Sequence, residues 1–441
     1  MTAPDYRDTI FALSSGPPPS GVAVIRISGP DVRFALETMT GAAPDARRAV
    51  LANICDRSGK IIDRGLIIYF PGPHSFTGED CAEFQIHGGM AVISSMLAAL
   101  SALPGLRSAE PGEFSRRAFD NGKMDLTAVE GLADLIAAET EAQRKMALEQ
   151  STGSLLEIYR RWRNELIRIR AMIEADFDFS DEEDVPGSVV QSIWTNVSAL
   201  RDEIGRHLED ARAGEIIRSG YRVAIVGAPN AGKSSLLNAL TKRDVAIVSD
   251  EAGTTRDVLE VRLDLNGYSV ILFDTAGIRE GAGAVEEEGI RRAKATAASA
   301  DLVLELREPG AEKQLVDIEP DRHLLVASKS DLGNGGAAYG YDCEVSVRTD
   351  HGLDALINLL AVRVSSSTAS TSPLLPNRQR HREYLQRCLY ALDEALIYLE
   401  TPLEMRAELL RNAGDMIGRL TGAIDTEDLL DVIFSEFCIG K

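Results

Sequence analysis

A chain of 441 residues has room for two or three domains with substantial cores. Its 47 basic and 68 acidic residues give a net charge of −21, which excludes a body that binds nucleic acid as a general polycation and confines any RNA contact to a local surface. The five cysteines, Cys55, Cys81, Cys343, Cys388 and Cys438, are odd in number and contain no C-x-x-C pair, so neither a disulfide framework nor a zinc site is expected, and a reducing compartment is.

The N-terminal stretch Met1 to Asp8 has no apolar core and no arginine-rich transit character, and no later run reaches the roughly eighteen apolar residues of a membrane span. A cytoplasmic protein is expected. Residues 1–120 read as a mixed α/β domain. Gly16 to Gly21 is rich in turn formers and leads into the β-branched run Val22 to Ile27, and Ile61 to Phe70 supplies another strand. From Cys81 to His87 the pattern alternates. Ala82, Phe84 and Ile86 face one side, while Glu83, Gln85 and His87 face the other, either lining a polar pocket or simply meeting solvent. A helix from Met90 to Leu103 follows.

Residues 121–218 read as helical. Leu155, Ile158, Trp162, Leu166, Ile169 and Ile173 recur at three- and four-residue spacing and form an apolar stripe. Asp176 to Gly187 interrupts it as an acidic loop.

The stretch from Tyr221 to Gly277 carries the chemistry. Val223 to Val226 is an apolar strand. It runs into Gly227-Ala228-Pro229-Asn230-Ala231-Gly232-Lys233-Ser234, a G-x-x-x-x-G-K-[ST] loop, and then into a helix with Leu236, Leu237 and Leu240. Backbone N–H groups of such a loop turn onto phosphate oxygens at the positive end of the helix dipole. Asn230, Ala231, Gly232, Lys233, Ser234 and Ser235 form the expected phosphate-binding set, with Lys233 on the β- and γ-phosphates and the Ser234 hydroxyl on Mg²⁺. In Gly253-Thr254-Thr255-Arg256-Asp257 a threonine can give Mg²⁺ a second hydroxyl, and Arg256 and Asp257 are candidate catalytic residues. Asn266-Gly267 between two apolar runs predicts a β-hairpin, whose second strand delivers Asp274-Thr275-Ala276-Gly277 to Mg²⁺ and the γ-phosphate. These motifs resemble the translation-factor class of GTPases.

Base recognition is expected at Ser328-Lys329-Ser330-Asp331, where GTPases usually carry Asn-Lys-x-Asp. Asp331 accepts from guanine N1–H and the 2-amino group, Lys329 lies over the ring, and Ser346 stands in the following loop. Asp331 favours guanine because adenine leaves a buried acceptor unpaired. Ile278 stands where many GTPases orient water with Gln, so another group is needed, from among Arg279, Glu280 and Glu286 to Glu288. Asn230 is either a potassium ligand, as in one GTPase subset, or a neutral loop residue. The GTPase unit runs over 219–366 and ends in a helix with Leu353, Leu356, Ile357 and Leu360. Ser365 to Ser372 reads as a linker, and 373–441 as helices again over Arg380 to Glu400, Leu403 to Ile417 and Thr426 to Phe437. Helices on both sides point to one helical domain with the GTPase inserted.

The whole arrangement resembles the MnmE (TrmE) family of tRNA uridine modification GTPases. The resemblance rests on Gly21 to Gly29, Ser75 to Asp80, Gln85 to Gly89, Pro111 to Phe114, Gly253 to Asp257, Asp274 to Glu280 and the terminal Phe437-Cys438-Ile439-Gly440-Lys441. It implies an α/β folate-binding and dimerising N-terminal domain, joined to an all-α domain with an inserted Ras-like P-loop GTPase. It also implies 5-formyl- or 5,10-methylenetetrahydrofolate on Arg26, Glu83, Lys123 and Lys441; K⁺ on Asn230, Ser249, Glu251 and Thr254; Mg²⁺ on Ser234 and Thr255; Glu286 as the water-orienting acid; and Cys438 as a candidate for chemistry. The implied assembly is a homodimer working with an FAD-carrying MnmG (GidA) partner on the wobble uridine of tRNA. The rival is a ribosome-assembly GTPase of the Era or Der kind, which predicts a second GTPase unit or a KH-like segment, and neither is visible after Pro373.

Overall fold

The computed structural model describes residues 8–178, 188–228, 230–247, 260–274, 299–309, 319–332, 340–369, 374–397, 402–424, 430, 433–434, 437 and 440. These divide into two compact units, one of 1–133, 150–165 and 414–441, the other of 134–149 and 166–413.

The first unit is built on a sheet of β1 (Thr9–Leu13), β2 (Ser20–Ser28), β3 (Val50–Cys55), β4 (Ile61–Phe70), β5 (Cys81–Gly88) and β6 (Leu106–Ser108), in the order β3-β4-β5-β2-β1-β6. Helices α1 (Val32–Thr40) and α2 (Met90–Ser101) cover one face, burying Leu36, Met39, Ile93 and Met96 against Ile25, Ile27, Phe84 and Ile86. The alternation predicted for β5 is observed: Ala82, Phe84 and Ile86 are buried, while Glu83, Gln85 and His87 lie on the other face. Register across β2 and β5 sets Arg26 opposite Glu83.

Helix α3 (Glu113–Asp120) carries the fully buried Arg117. Its guanidinium donates to Asp8 Oδ1 at 2.8 Å and Glu113 Oε1 at 2.9 Å, and reaches Glu79 Oε2 at 3.2 Å. The Glu113 carboxylate also accepts from Arg107 at 2.5 and 2.8 Å. Leu126 and Val129 of α4 (Leu126–Ile136) pack with Leu430, Ile433, Phe434 and Phe437, bringing the last part of the chain back onto the helix that follows α3. Of the helix predicted over Thr426 to Phe437, only these four residues are described.

After α5 (Glu141–Ser151) comes the long α6 (Ser154–Asp178). Its buried stripe is Leu155, Tyr159, Trp162, Leu166, Ile169 and Ile173. Tyr159 takes the place expected for the half-buried Ile158, because the phenol ring packs on Trp162 at a centroid distance of 5.6 Å. The helix also continues through Asp176 to Asp178, where a loop was expected.

In the second unit α7 (Ser188–Glu209) and α8 (Ala211–Ser219) lead into a sheet of β7 (Tyr221–Gly227), β8 (Glu260–Leu265), β9 (Tyr268–Asp274), β10 (Leu302–Arg307), β11 (His323–Ala327) and β12 (Cys343–Glu344). The order is β12-β11-β10-β7-β9-β8, with every pairing parallel except the β8–β9 hairpin. Asn266 and Gly267, at φ 57° and 86°, make the predicted two-residue turn, whose left-handed backbone Asn and Gly tolerate best. Helix α9 (Lys233–Leu240) leaves the loop after β7, and α10 (Leu353–Ser367) closes the domain. The expected linker from Ser365 begins later, because Ser366, Ser367 and Thr368 return their hydroxyls to the carbonyls of Val362, Arg363 and Val364 and so prolong the last turn.

The chain then enters α11 (Gln379–Ile397) and α12 (Leu403–Thr421). The two crossings of the chain around the sheet meet at one carboxylate. Asp134 accepts from Arg218 Nε, just before β7, at 3.0 Å, and from Asn377 Nδ2 and Arg378 Nη2, just before α11, at 3.1 and 2.9 Å.

Candidate functional site

The phosphate loop lies where β7 hands over to α9, at the C-terminal edge of a parallel sheet. There the strand order turns outward in both directions from β7, which is where ligands bind in such folds. The Lys233 side chain folds back over the loop and its Nζ donates to Gly227 O at 2.9 Å and Ala228 O at 3.1 Å. Burial draws the ammonium pKa below its usual value, with the neighbouring Asp274 carboxylate opposing the shift. Ser234 Oγ donates to Asp274 Oδ2 at 3.1 Å, and Asp274 is only 4% exposed. A hydroxyl and a buried carboxylate converging beside the loop are the oxygen donors a hard divalent cation takes. Asn230 holds a left-handed backbone at φ 69° and is exposed on the loop.

Beside the loop lies a cavity of about 350 Å³ lined by Ala231, Gly232, Ser235, Ser328, Lys329, Asp331 and Arg348 among others. Asp331 Oδ1 accepts from Ser346 Oγ at 2.6 Å, and Arg348 Nη1 stands 3.8 Å from Oδ2. The serine hydroxyl, aided by the Asp331 backbone N–H and Arg348, holds the Asp331 carboxyl below its ordinary pKa, so it is an acceptor at neutral pH. Lys329 Nζ pairs with Glu308 Oε1 at 2.5 Å. Glu308 and Arg348 were not among the expected site residues. A lone acid after β10 carries no spacing signal, and Arg348 is visible only as the residue that follows Ser346 and Val347.

A second cluster occupies the open face of the first unit's sheet. Arg26 Nε and Nη2 donate to Glu83 Oε1 at 3.2 and 3.0 Å, and its guanidinium lies over the Phe76 and Phe114 rings at 5.1 and 5.8 Å. Lys123 is exposed beside Gly78. The polar face thus divides. Glu83 is half-buried with the ring-stacked Arg26, while His87, 72% exposed, meets solvent and bonds Asp63 at 2.9 Å. The two aromatic residues went unrecognised as site residues because Phe76 comes from the loop before β5 and Phe114 from the first turn of α3. Gly440 is held in the same unit, its carbonyl accepting from Ser14 Oγ at 2.7 Å.

The structure therefore brings together Asn230, Ala231, Gly232, Lys233, Ser234, Ser235 and Asp274 as one group, Ser328, Lys329, Asp331 and Ser346 as a second, and Arg26 with Glu83 as a third. Ser249, Glu251, Thr254, Thr255, Arg256, Asp257, Thr275, Ala276, Gly277, Arg279, Glu286, Cys438 and Lys441 lie outside the described residues. Among the described residues no cluster of His, Cys, Asp and Glu is arranged to hold a metal without a ligand's help, the four cysteines are free, and no helix is long and apolar enough to cross a membrane.

A parallel sheet with this phosphate loop, a Ser–Asp cation site and an aspartate at the base cavity defines a P-loop GTPase, a GTP-hydrolysing enzyme. Family models extend this to the rest of the chain: the GTP-binding protein TrmE N-terminus matches residues 9–123, and the MnmE helical domain matches 126–438. The tRNA modification GTPase MnmE of Brucella canis is 53% identical over 437 residues, covering 99% of each chain, and that of Rhizobium johnstonii is 53% identical over 98% of this chain and 99% of its own. Among solved structures, the G domain of the T. maritima FeoB iron transporter is 23% identical with a TM-score of 0.25, covering 34% of this chain and 99% of that one. The chain belongs to the MnmE family.

Proposed function

We propose that this GTPase, as a cytoplasmic homodimer working with an FAD-carrying MnmG partner, installs an aminomethyl or carboxymethylaminomethyl group on carbon 5 of the wobble uridine of certain tRNAs. A tetrahydrofolate derivative supplies the one-carbon unit. The observation that carries the reading is the return of the chain's end to the first strand. Gly440 is bound by Ser14, in the unit that holds the Arg26–Glu83 pair, so the terminal motif and the folate residues belong to one structural unit. Glu83 suits a pterin, because a carboxylate accepts from its amide and amino groups and a ligand lacking them leaves it unpaired. The names of the curated relatives support tRNA as the substrate.

In the GTPase site, Lys233 and the loop N–H groups bind the β- and γ-phosphates, and Ser234, Thr255 and Asp274 hold Mg²⁺, which offsets charge developing on the transferred phosphoryl group. Glu286 orients the attacking water in place of the glutamine that Ile278 displaces. Asn230, with Ser249, Glu251 and Thr254, holds K⁺. In an Asn230→Ala protein the stimulation of hydrolysis by KCl over NaCl at fixed ionic strength is expected to vanish, and a stimulation equal to that of the parent removes Asn230 from the ion's shell.

The pathway is tested by mass spectrometry of tRNA nucleosides from cells lacking the gene, complemented with the full chain or with Gly440→Ala. Gly440 has φ 101°, and a Cβ there runs into the Leu13 carbonyl, so the substitution displaces the terminal motif. The modified wobble uridine should disappear on deletion, return with the full chain and stay absent with the variant. A nucleoside profile unchanged by deletion refutes the reading.

A further inference from the structure

We propose that Glu139 and Arg262 are positioning residues of the GTPase. As an ion pair they hold β8 against the turn before α5, and so set the alignment of the hydrolytic groups rather than the affinity for nucleotide. The proposal rests on the reading of Thr255 as a Mg²⁺ ligand. Val261, Leu263 and Leu265 turn into the core, which leaves Arg262 on the other side of the strand. There its Nη1 donates to Glu139 Oε2 at 3.1 Å. Its backbone carbonyl accepts from Ile247 N–H at 2.9 Å, and Asp264 N–H donates to Val245 O at 2.7 Å. The chain that enters residues 248–259 is thus laid along β8, and the chain that leaves them begins the same strand at Glu260. Thr254 and Thr255 lie within that stretch of sequence. Arg262 therefore grips one end of the stretch through its backbone and the turn before α5 through its side chain. β8 also pairs along its length with β9, whose last residue is Asp274.

A second contact fixes the tip of the hairpin. Gly267 O accepts from Ala142 N–H at 3.0 Å, in the first turn of α5, where a helix N–H has no intrahelical partner. Gln143 braces the same turn. Its Oε1 accepts from the Glu139 and Thr140 N–H groups at 2.9 and 3.0 Å, and its Nε2 donates to Arg218 O at 3.1 Å. Beside these contacts lies a cavity of about 340 Å³, lined by Ala137, Gln143, Met146, Arg218 and Arg262 among others. Where a cavity stands in place of close-packed side chains, alignment depends on the polar contacts that span it. The phosphate loop is carried by β7 and α9 instead, so the seat of the nucleotide is separate from the hairpin that these contacts hold.

The test is a double-mutant cycle on the full chain, reading kcat for GTP hydrolysis in KCl and MgCl₂ beside the affinity for mant-labelled GDP. Glu139→Gln and Arg262→Gln should each lower kcat about two- to fivefold, the range that a part-exposed ion pair supplies. The double substitution should lower it no further, because both changes remove the same contact. All four proteins should bind mant-GDP equally. The reversed pair, Glu139→Arg with Arg262→Glu, should recover most of the loss, and hydrogen exchange of the Ala142 amide should quicken in the single variants as the hairpin tip is released. A kcat equal to the parent's in either single variant, losses that add in the double variant, or a fall in mant-GDP affinity matching that in kcat overturns the assignment. Should one single variant not fold, the other and the reversed pair still decide the question. A parent whose hydrolysis needs no Mg²⁺ refutes the Thr255 reading itself, whereas Mg²⁺-dependent hydrolysis without coupling between the two positions refutes only the positioning role.

Discussion

Replacement of Lys233 by alanine should lower kcat for GTP by about 10²–10³-fold, the cost of deleting one preorganised donor to the transferred group. The side chain is 7% exposed, and in the structure its ammonium is spent on two carbonyls of its own loop, Gly227 O and Ala228 O. Those neutral acceptors are weaker partners than phosphate oxygens, so the cation is poised to turn outward once the loop is filled. The fold should survive the change, because the Leu236, Leu237 and Leu240 side of α9 is anchored in the core. Single-turnover phosphate release at saturating protein measures the effect. A loss smaller than tenfold places the phosphate contact elsewhere.

The largest expected effect on stability is at Arg117. Its guanidinium is wholly buried among Asp8, Glu79 and Glu113. Arg117→Ala takes the buried cation from Glu79 and leaves Asp8 and Glu113 to share Arg107 alone, and removing one member of a buried ionic cluster costs about 3–5 kcal/mol. The pH dependence identifies the cause. Burial by itself raises the Glu113 and Asp8 pKa values, but hydrogen bonds and charge from Arg107 and Arg117 outweigh it and hold both below their ordinary 4.5 and 3.8. A carboxyl depressed in the folded state stabilises the protein above its unfolded pKa, and that stabilisation is lost as pH falls through the folded value. Urea midpoints of parent and variant should therefore differ most near neutrality and converge as pH drops below about 4. A gap that stays constant across that range would assign the loss to packing instead.

The nucleotide site was the most legible part of the chain, because its motifs are local. A phosphate loop needs its glycines, lysine and serine within eight positions, and a two-residue hairpin needs Asn-Gly in one place. Long periodic helices were visible for the same reason. What escaped has non-local causes. Strand β1 was not foreseen because it is buried on both sides, with Ile10 and Phe11 in different core clusters, so it shows no alternation. Ile158 and Tyr159 both fit a three- or four-residue step in the stripe of α6, and Tyr159 is the one that turns inward, where its ring meets Trp162. Ser366 to Thr368 look like linker residues by composition, yet their hydroxyls satisfy the carbonyls at the end of a helix. Phe76 and Phe114 meet over Arg26 only after a loop and the start of α3, distant in sequence, are folded together.

The Asp134 contact with both flanks of the nucleotide-binding sheet changes how that sheet counts in the assembly of the helices around it. Gly214 of α8 lies against Leu375 and Pro376, and Ala213 shares a small apolar cluster with Leu375 and Met146, so the outgoing and returning segments touch before either leaves the helices. For those helices the intervening chain behaves as a closed loop. The entropy of closing a loop grows only with the logarithm of its length, about 0.6 kcal/mol per doubling. Most of the length of the nucleotide-binding domain is therefore nearly cost-free to its host. The junction itself, in which Asp134, the Glu215–Arg382 pair and a few apolar contacts tie the flanks, carries the thermodynamic burden of keeping the two together.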